Sequence, residues 1–160
     1  MATSVDQLKA AMRRFSLEND RFDDAVARRL GISPAELHAL EHLEISGGMT
    51  PGQLGERLQL TSGAVTALAD RLEGAGLLAR VAHPSDRRSS ILCLTERAER
   101  FGWEFYGPFG ADLQRAAAGL TASERAVVAR FMDACAEVAA EHAARQGPAG
   151  APSPGSASDG

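Results

Sequence analysis

The sequence predicts a mainly α-helical (α+β) fold of six helices and one β-hairpin, with four helices before the hairpin and two after it. Three observations support this prediction. Capping boxes mark three helix starts, and apolar residues recur at helical spacing along most of the chain. Between Gly76 and Thr95 that spacing gives way to two short apolar runs that are partly β-branched. With 160 residues and 44% hydrophobic content, one good core can be buried, so residues 1–145 are expected to form a single domain.

The first 30 residues predict a helical region. An apolar side chain recurs at spacings that place it on one helix face. These residues are Leu8, Met12 and Phe15, followed by Phe22, Val26 and Leu30.

Three further helices begin at capping boxes, in which an N-cap hydroxyl and a side chain three residues on satisfy each other's backbone amides. Two boxes carry proline at the first helical position, where its missing N–H costs nothing. Helices are therefore expected near residues 34, 51 and 122, and Thr61 and Thr95 are simple N-caps for two more. The boxes are Ser33-Pro34-Ala35-Glu36, Thr50-Pro51-Gly52-Gln53 and Thr121-Ala122-Ser123-Glu124.

Residues 77–81 and 91–94 are the two apolar runs, and the turn-forming Pro84-Ser85-Asp86 lies between them. They predict a β-hairpin with a polar tip. Just before it, residues 50–75 predict a short helix, a tight turn at 59–61 and a longer helix, with Gly55 letting the two helices approach. A helix-turn-helix followed by a hairpin is a winged helix-turn-helix, here assigned to residues 34–95.

Two groups of residues are candidates for contact with double-stranded DNA. The start of the longer helix carries small polar side chains that let amides and hydroxyls reach phosphates or base edges, and an alanine that could touch a thymine methyl. The hairpin tip carries two arginines that could enter a narrow minor groove or grip phosphates, with an aspartate that pairs with one of them. The candidates are Thr61, Ser62, Gly63, Thr66, Ala67, Asp86, Arg87 and Arg88.

Bulk charge alone argues against a nucleic-acid-binding protein. The net charge is -4 and the pI is near 5.6, whereas such domains usually have a basic surface. Any DNA-binding face must therefore be local. No apolar run is long enough to span a bilayer and residues 1–6 do not resemble a signal peptide, so a cytoplasmic protein without a membrane partner is expected. Cys93 and Cys135 show neither a metal spacing nor a disulfide framework, and no cofactor is expected.

Several segments are similar to the MarR family of bacterial regulators: residues 60–66, Asp70-Arg71-Leu72-Glu73, Gly76-Leu77, and Asp86-Arg87-Arg88 through Leu94-Thr95. The resemblance spans roughly residues 5–145. It implies that the helix from residue 62 to 74, Arg71 included, reads the major groove and that the hairpin enters the minor groove. It also implies that the terminal helices, residues 1–30 and 96–145, form a homodimer.

A dimer is also favoured by an apolar stripe in the last helix, which a lone winged-helix module would leave partly exposed. A two-fold dimer would place two reading helices on one face of a pseudo-palindromic operator. The stripe consists of Val127, Val128, Phe131, Cys135, Val138 and His142.

The resemblance further implies a repressor that is released by a small aromatic or phenolic effector, with anionic aromatic compounds as the expected ligands. Aromatic residues crowd residues 101–109, where Pro108 is expected to kink the helix. The candidate pocket residues are Phe15, Phe22, His42, Trp103 and Tyr106.

Other interpretations compete with this one. His38, Glu41 and His42 match the H-x-x-E-H pattern of a zinc peptidase, although such enzymes need a third protein ligand. The same residues could serve a zinc-responsive regulator, whereas a peroxide sensor would need a cysteine in residues 1–32, which contain none. A protein that is not an enzyme, without catalytic or metal-binding residues, is expected. Residues 146–160 are rich in Pro, Gly, Ser and Ala and predict a disordered tail.

Overall fold

The computed structural model describes residues 4–86 and 88–146, which form six α-helices and one antiparallel hairpin. This order of elements confirms the predicted fold. A 3-10 turn at Ala117–Gly119 precedes the last helix. The helices are α1 (Val5–Leu30), α2 (Pro34–Ser46), α3 (Pro51–Leu58), α4 (Ser62–Gly74), α5 (Glu96–Ala116) and α6 (Ala122–Gln146), and the strands are β1 (Leu78–Ala82) and β2 (Ser90–Leu94).

The capping boxes start their helices where the sequence predicted. The Ser33 and Thr50 side chains each accept the N–H three residues on at 3.3 Å, and Thr121 does so at 3.2 Å. Thr95 caps α5 in the same way, with its hydroxyl oxygen 3.2 Å from the Ala98 nitrogen. A further box, Ser4 with Gln7, begins α1. Helix starts are thus set by hydrogen bonds within four residues.

The hairpin pairs Leu78 with Leu94 and Ala82 with Ser90, one residue away from the strand limits that the sequence predicted for β1. A third segment joins this sheet, since Met49 and Leu92 exchange two backbone hydrogen bonds of 3.1 and 2.7 Å. The sequence pattern missed this bridge because one residue carries no periodicity.

The chain forms two compact units, one up to Pro108 and one from Phe109 onward. In the first unit, α2, α3, α4 and the hairpin enclose the main core, and truncation of one of its leucines to alanine typically costs about 2–5 kcal/mol. A smaller cluster of Val26, Ala27 and Leu37 lies between α1 and α2. The largest fully buried side chains are Leu43, Leu54, Val65, Leu72, Leu78 and Leu92.

The second unit contains the end of α5, the 3-10 turn and α6. Pro108 does not end α5, which continues to Ala116. Large apolar side chains of α6 are exposed: Val127, Val128, Phe131, Met132 and Val138. Of the predicted tail, residues 147–160 lie outside the described residues. No helix among residues 4–86 and 88–146 is long and apolar enough to cross a membrane.

Candidate nucleic-acid interface

Helices α3 and α4 are joined by a tight turn. Gln59 has a positive φ of 54°, and the Leu60 N–H donates to the Gly55 carbonyl at 2.9 Å. A Cβ at Gly55 would lie 3.2 Å from both the Leu60 carbonyl oxygen and a Val65 methyl group. The missing side chain of Gly55 therefore permits the close approach that the sequence predicted.

One face of α4 is buried and the other is open. Val65, Leu68 and Leu72 are at most 2% exposed. The predicted DNA contacts at the start of α4 all lie on the open side: Thr61, Ser62, Gly63, Thr66 and Ala67 are exposed.

Two hydroxyls on this open face have partners within the helix. The Thr61 oxygen accepts the Ala64 N–H at 3.3 Å, and the Thr66 hydroxyl donates to the Ser62 carbonyl at 3.0 Å. The Thr66 oxygen retains its acceptor capacity toward an incoming donor.

Arg71 links α4 to α2. Its Nε donates to the Glu36 carboxylate at 2.5 Å, and Glu36 also accepts the Ser33 backbone N–H at 2.7 Å. Burial opposes ionisation of Glu36, but the bonds from Ser33 and Arg71 outweigh it and lower the pKa of Glu36. The Arg71 side chain is still 61% exposed, so it is held in place from one side and accessible from the other.

Arg80 in β1 was not singled out from the sequence, yet it bridges the hairpin to α4. Its guanidinium donates to Asp70 and, at 3.1 Å from Nε, to Glu73. Both carboxylates would repel phosphate, and Arg80 offsets part of that charge while holding the hairpin beside α4. The sequence did contain a signal for this contact: one arginine within an apolar strand, and two acidic residues three positions apart on the preceding helix.

The hairpin tip is organised by His83. Its Nδ1 accepts the backbone N–H groups of Ser85 and Asp86 at 3.3 and 3.2 Å. Asp86 in turn accepts the Arg88 backbone N–H at 2.9 Å, so it shapes the turn rather than pairing with the Arg88 guanidinium. Arg88 is exposed, and Arg87 lies outside the described residues.

Tyr106 and Phe22, two of the five predicted pocket residues, lie together. Their rings meet edge to face with centroids 5.3 Å apart, and the Tyr106 hydroxyl lies 2.9 Å from Asp23 and 3.3 Å from Glu41. Burial and Asp23 raise the pKa of Tyr106, so its hydroxyl remains a donor. The cavity beside Tyr106 has a volume of about 40 Å³, whereas ligand pockets usually have about 300–1,000 Å³.

The other three predicted pocket residues are not part of this group. Trp103 lines a separate groove of about 740 Å³, Phe15 is 48% exposed on α1, and His42 is half-buried on α2. Burial, followed by Arg57 and His38, lowers the pKa of His42.

The H-x-x-E-H residues show no metal-site arrangement. His38 is exposed, and Glu41 interacts with Tyr106. Within the part of the chain that the structure describes, no group of three or more His, Cys, Asp or Glu side chains could hold a metal ion. Nothing in the structure supports the peptidase or zinc-responsive alternatives.

Comparison with known proteins gives consistent matches. A family model described as MarR family matches residues 30–89. YcgE of Bacillus subtilis, an uncharacterized HTH-type transcriptional regulator, is 30% identical over 133 residues, which cover 83% of this chain and 86% of that protein.

Two solved structures have the same fold. A mutant of MarR from Escherichia coli, complexed with operator DNA, is 26% identical with a TM-score of 0.53, covering 80% of this chain and 92% of that one. A mutant MepR from S. aureus is 21% identical with a TM-score of 0.69, covering 86% and 99%.

Proposed function

The chain belongs to the MarR family of transcriptional regulators, and from this premise we propose that it is a dimeric repressor, released from its operator by a small aromatic ligand. It binds double-stranded DNA through α4 and the hairpin. The open face of α4 is the main support for this proposal, because the helix buries its apolar side and leaves the small residues of its first two turns exposed toward a major groove. These residues are Thr61, Ser62, Gly63, Thr66 and Ala67.

The charges around α4 support a division of roles. Arg80 of β1 is engaged by Asp70 and Glu73 and its side chain is only 28% exposed, so it adds little free positive charge beside α4, whereas the Arg71 side chain is 61% exposed. Phosphate contacts would therefore come from the exposed Arg88 and from Arg71, while the small side chains at the start of α4 approach base edges. Arg87, beside Arg88 in the sequence, is proposed for the same phosphate-contacting role.

The homodimer is supported by exposed apolar surface at both ends of the chain. On α6, Val127, Val128 and Val138 are each about half exposed, and on α1 Phe15 and Leu17 are exposed as well. Exposed apolar surface on a helix often marks an interface. A second copy of this chain would cover it and would place a second α4 on a pseudo-palindromic site.

A titration of fluorescently labelled DNA from upstream of the chain's own gene tests DNA binding. Arg88→Ala should weaken binding and lower the slope of log K against log salt by about 1 for each phosphate that the protein no longer neutralises. Arg28→Ala, which removes an exposed arginine in the last turn of α1, is the matched control. If the salt slope of Arg88→Ala equals that of the control, the proposal that the hairpin contacts DNA is wrong.

Thr66→Val separates base contact from phosphate contact. It keeps the shape of the side chain and removes the hydroxyl, so it should reduce preference for the operator over competitor DNA without changing the salt slope. If the unaltered chain shows no preference for any sequence in a selection from random DNA, the proposed function is wrong.

A further inference from the structure

A groove of about 740 Å³ lies among the end of α2, strand β2 and the first half of α5, all within the first unit. It is large enough for a drug-sized ligand, unlike the cavity beside Tyr106. We call it the Trp103 groove. Its chemically distinctive lining residues are Glu44, Cys93, Glu96, Glu99, Arg100 and Trp103.

Trp103 supplies an open aromatic surface. It is 80% exposed, although Phe101 and Phe105 on the same helix are half-buried. An indole is the aromatic ring with the strongest attraction for cations, because its face carries the largest negative potential. A planar or arylated cation could stack on it while excluding water from its apolar surface.

The groove is acidic. Three glutamates and one arginine line it, and no ion pair within the described residues engages Glu44, Glu96 or Glu99. The lining therefore has two negative charges in excess. An aromatic carboxylate, the ligand class that the family resemblance implied, would be repelled here.

Glu44 is the glutamate of the groove whose negative charge lies at an unfavourable position in its own helix. Glu96 and Glu99 belong to the first turn of α5, where the positive end of the helix dipole stabilises them. Glu44 instead lies in the last turn of α2, where a negative charge is disfavoured and no basic residue is present. Its carboxylate lies against α5 at Gly102, where an added Cβ would be 4.0 Å from Oε1.

We propose that the Trp103 groove binds a monovalent aromatic organic cation, which stacks on Trp103 and places its charge beside Glu44 and Glu99. Cys93 and Leu94 of β2 line the same groove, so an occupant contacts the strand that leads back from the hairpin tip. The effect of the bound cation on DNA binding rests on the proposed function. We expect the bound cation to weaken DNA binding, and by thermodynamic linkage the DNA then weakens cation binding by the same factor.

Tetraphenylphosphonium is the probe, and isosteric tetraphenylborate provides the opposite charge. Trp103 is the only tryptophan of the chain, so its fluorescence reports occupancy directly in the DNA-free protein. We expect the phosphonium to bind and the borate to bind at least about tenfold more weakly, with higher salt reducing the difference. Equal affinities for the two ions, or no saturable binding below about 1 mM phosphonium, would overturn the proposal.

Two variants and one matched control locate the site. Glu44→Gln should weaken phosphonium binding about fivefold, whereas Glu104→Gln, which removes an exposed charge from α5 outside the groove, should change it less than about twofold. Trp103→Leu, followed by calorimetry because the fluorophore is absent, should weaken binding about tenfold. Equal effects of the two glutamine substitutions would refute the assignment of the charge to the groove.

DNA binding is measured separately, with and without the phosphonium. A chain that binds its operator but not the cation contradicts this inference and leaves the proposed function standing. A chain that binds the cation but no DNA contradicts the proposed function and leaves the groove assignment standing. If both bind, the phosphonium should lower the affinity for DNA by about fivefold or more, and unchanged affinity would contradict the regulatory role of the groove.

Discussion

Glu36→Ala is expected to lower the free energy of unfolding by about 2 kcal/mol. Glu36 closes the capping box at the start of α2, and loss of such a cap costs about 1 kcal/mol. Its ion pair with Arg71 adds about 0.5–1 kcal/mol, since Arg71 is 61% exposed and solvent screens the attraction. Glu36→Gln keeps an oxygen that can accept the Ser33 N–H and should therefore cost only about half as much.

The pH dependence of the stabilisation by Glu36 has a defined sign. The pKa of Glu36 is lowered in the folded chain because the bonds from Ser33 and Arg71 outweigh the effect of burial. The contribution of ionised Glu36 to the free energy of unfolding is therefore fully present above the ordinary glutamate pKa of 4.5. It is lost as the pH falls through the lower pKa that Glu36 has in the folded chain. The difference between the unaltered chain and Glu36→Gln should be largest near neutral pH and shrink in acid.

Urea unfolding followed by far-UV circular dichroism, at one fixed protein concentration, measures these effects. Glu36→Ala should also lower Tm by about 4–8 °C. A double-mutant cycle with Arg71→Gln should give a coupling energy of about 0.5–1 kcal/mol. Glu56→Gln, at an exposed glutamate of α3, is the control. A coupling energy near zero, or a Glu36→Gln effect that does not change with pH, would refute the reasoning.

Two other predictions concern stability. Burial and Asp23 raise the pKa of Glu41, so ionisation of Glu41 lowers the free energy of unfolding as the pH rises. Glu41→Gln should therefore raise the free energy of unfolding at about pH 8 and not at about pH 4. A larger gain at about pH 4 than at about pH 8 in urea unfolding would contradict this. Gly55→Ala should cost about 1–3 kcal/mol, because its Cβ would lie 3.2 Å from the Leu60 carbonyl oxygen. Gly63→Ala, with open space around the added methyl group, should instead gain about 0.5–1 kcal/mol in the same assay, and equal effects at both positions would refute the packing argument.

The sequence predicted the elements well because their signals are local. A capping box closes within four residues, so the starts of α2, α3 and α6 could be located from residue types alone. The hairpin followed from two apolar runs around Pro84, and its strand limits differ from the prediction by no more than one residue.

The candidate site was predicted in part. Thr61, Ser62, Gly63, Thr66 and Ala67 were predicted to lie on an open helix face, because the apolar period of α4 assigned the other face to the core. Asp86 was expected to pair with an arginine side chain of the tip. It accepts the backbone N–H of Arg88, as a short acidic side chain in a tight turn readily does with the amide two residues on, and pairing with Arg87 stays a prediction because Arg87 lies outside the described residues.

The sequence by itself determined where helices and strands begin, which face of α4 is apolar, and which small residues at the start of α4 are exposed. Only the tertiary structure decided which distant residues meet: Glu36 with Arg71, Arg80 with Asp70 and Glu73, and Tyr106 with Asp23. It also separated Trp103 from Tyr106, three residues apart on one helix, into a groove and a small cavity. The reason is physical: caps and periodicity arise from hydrogen bonds and burial within a few residues, whereas these contacts depend on how whole elements pack together.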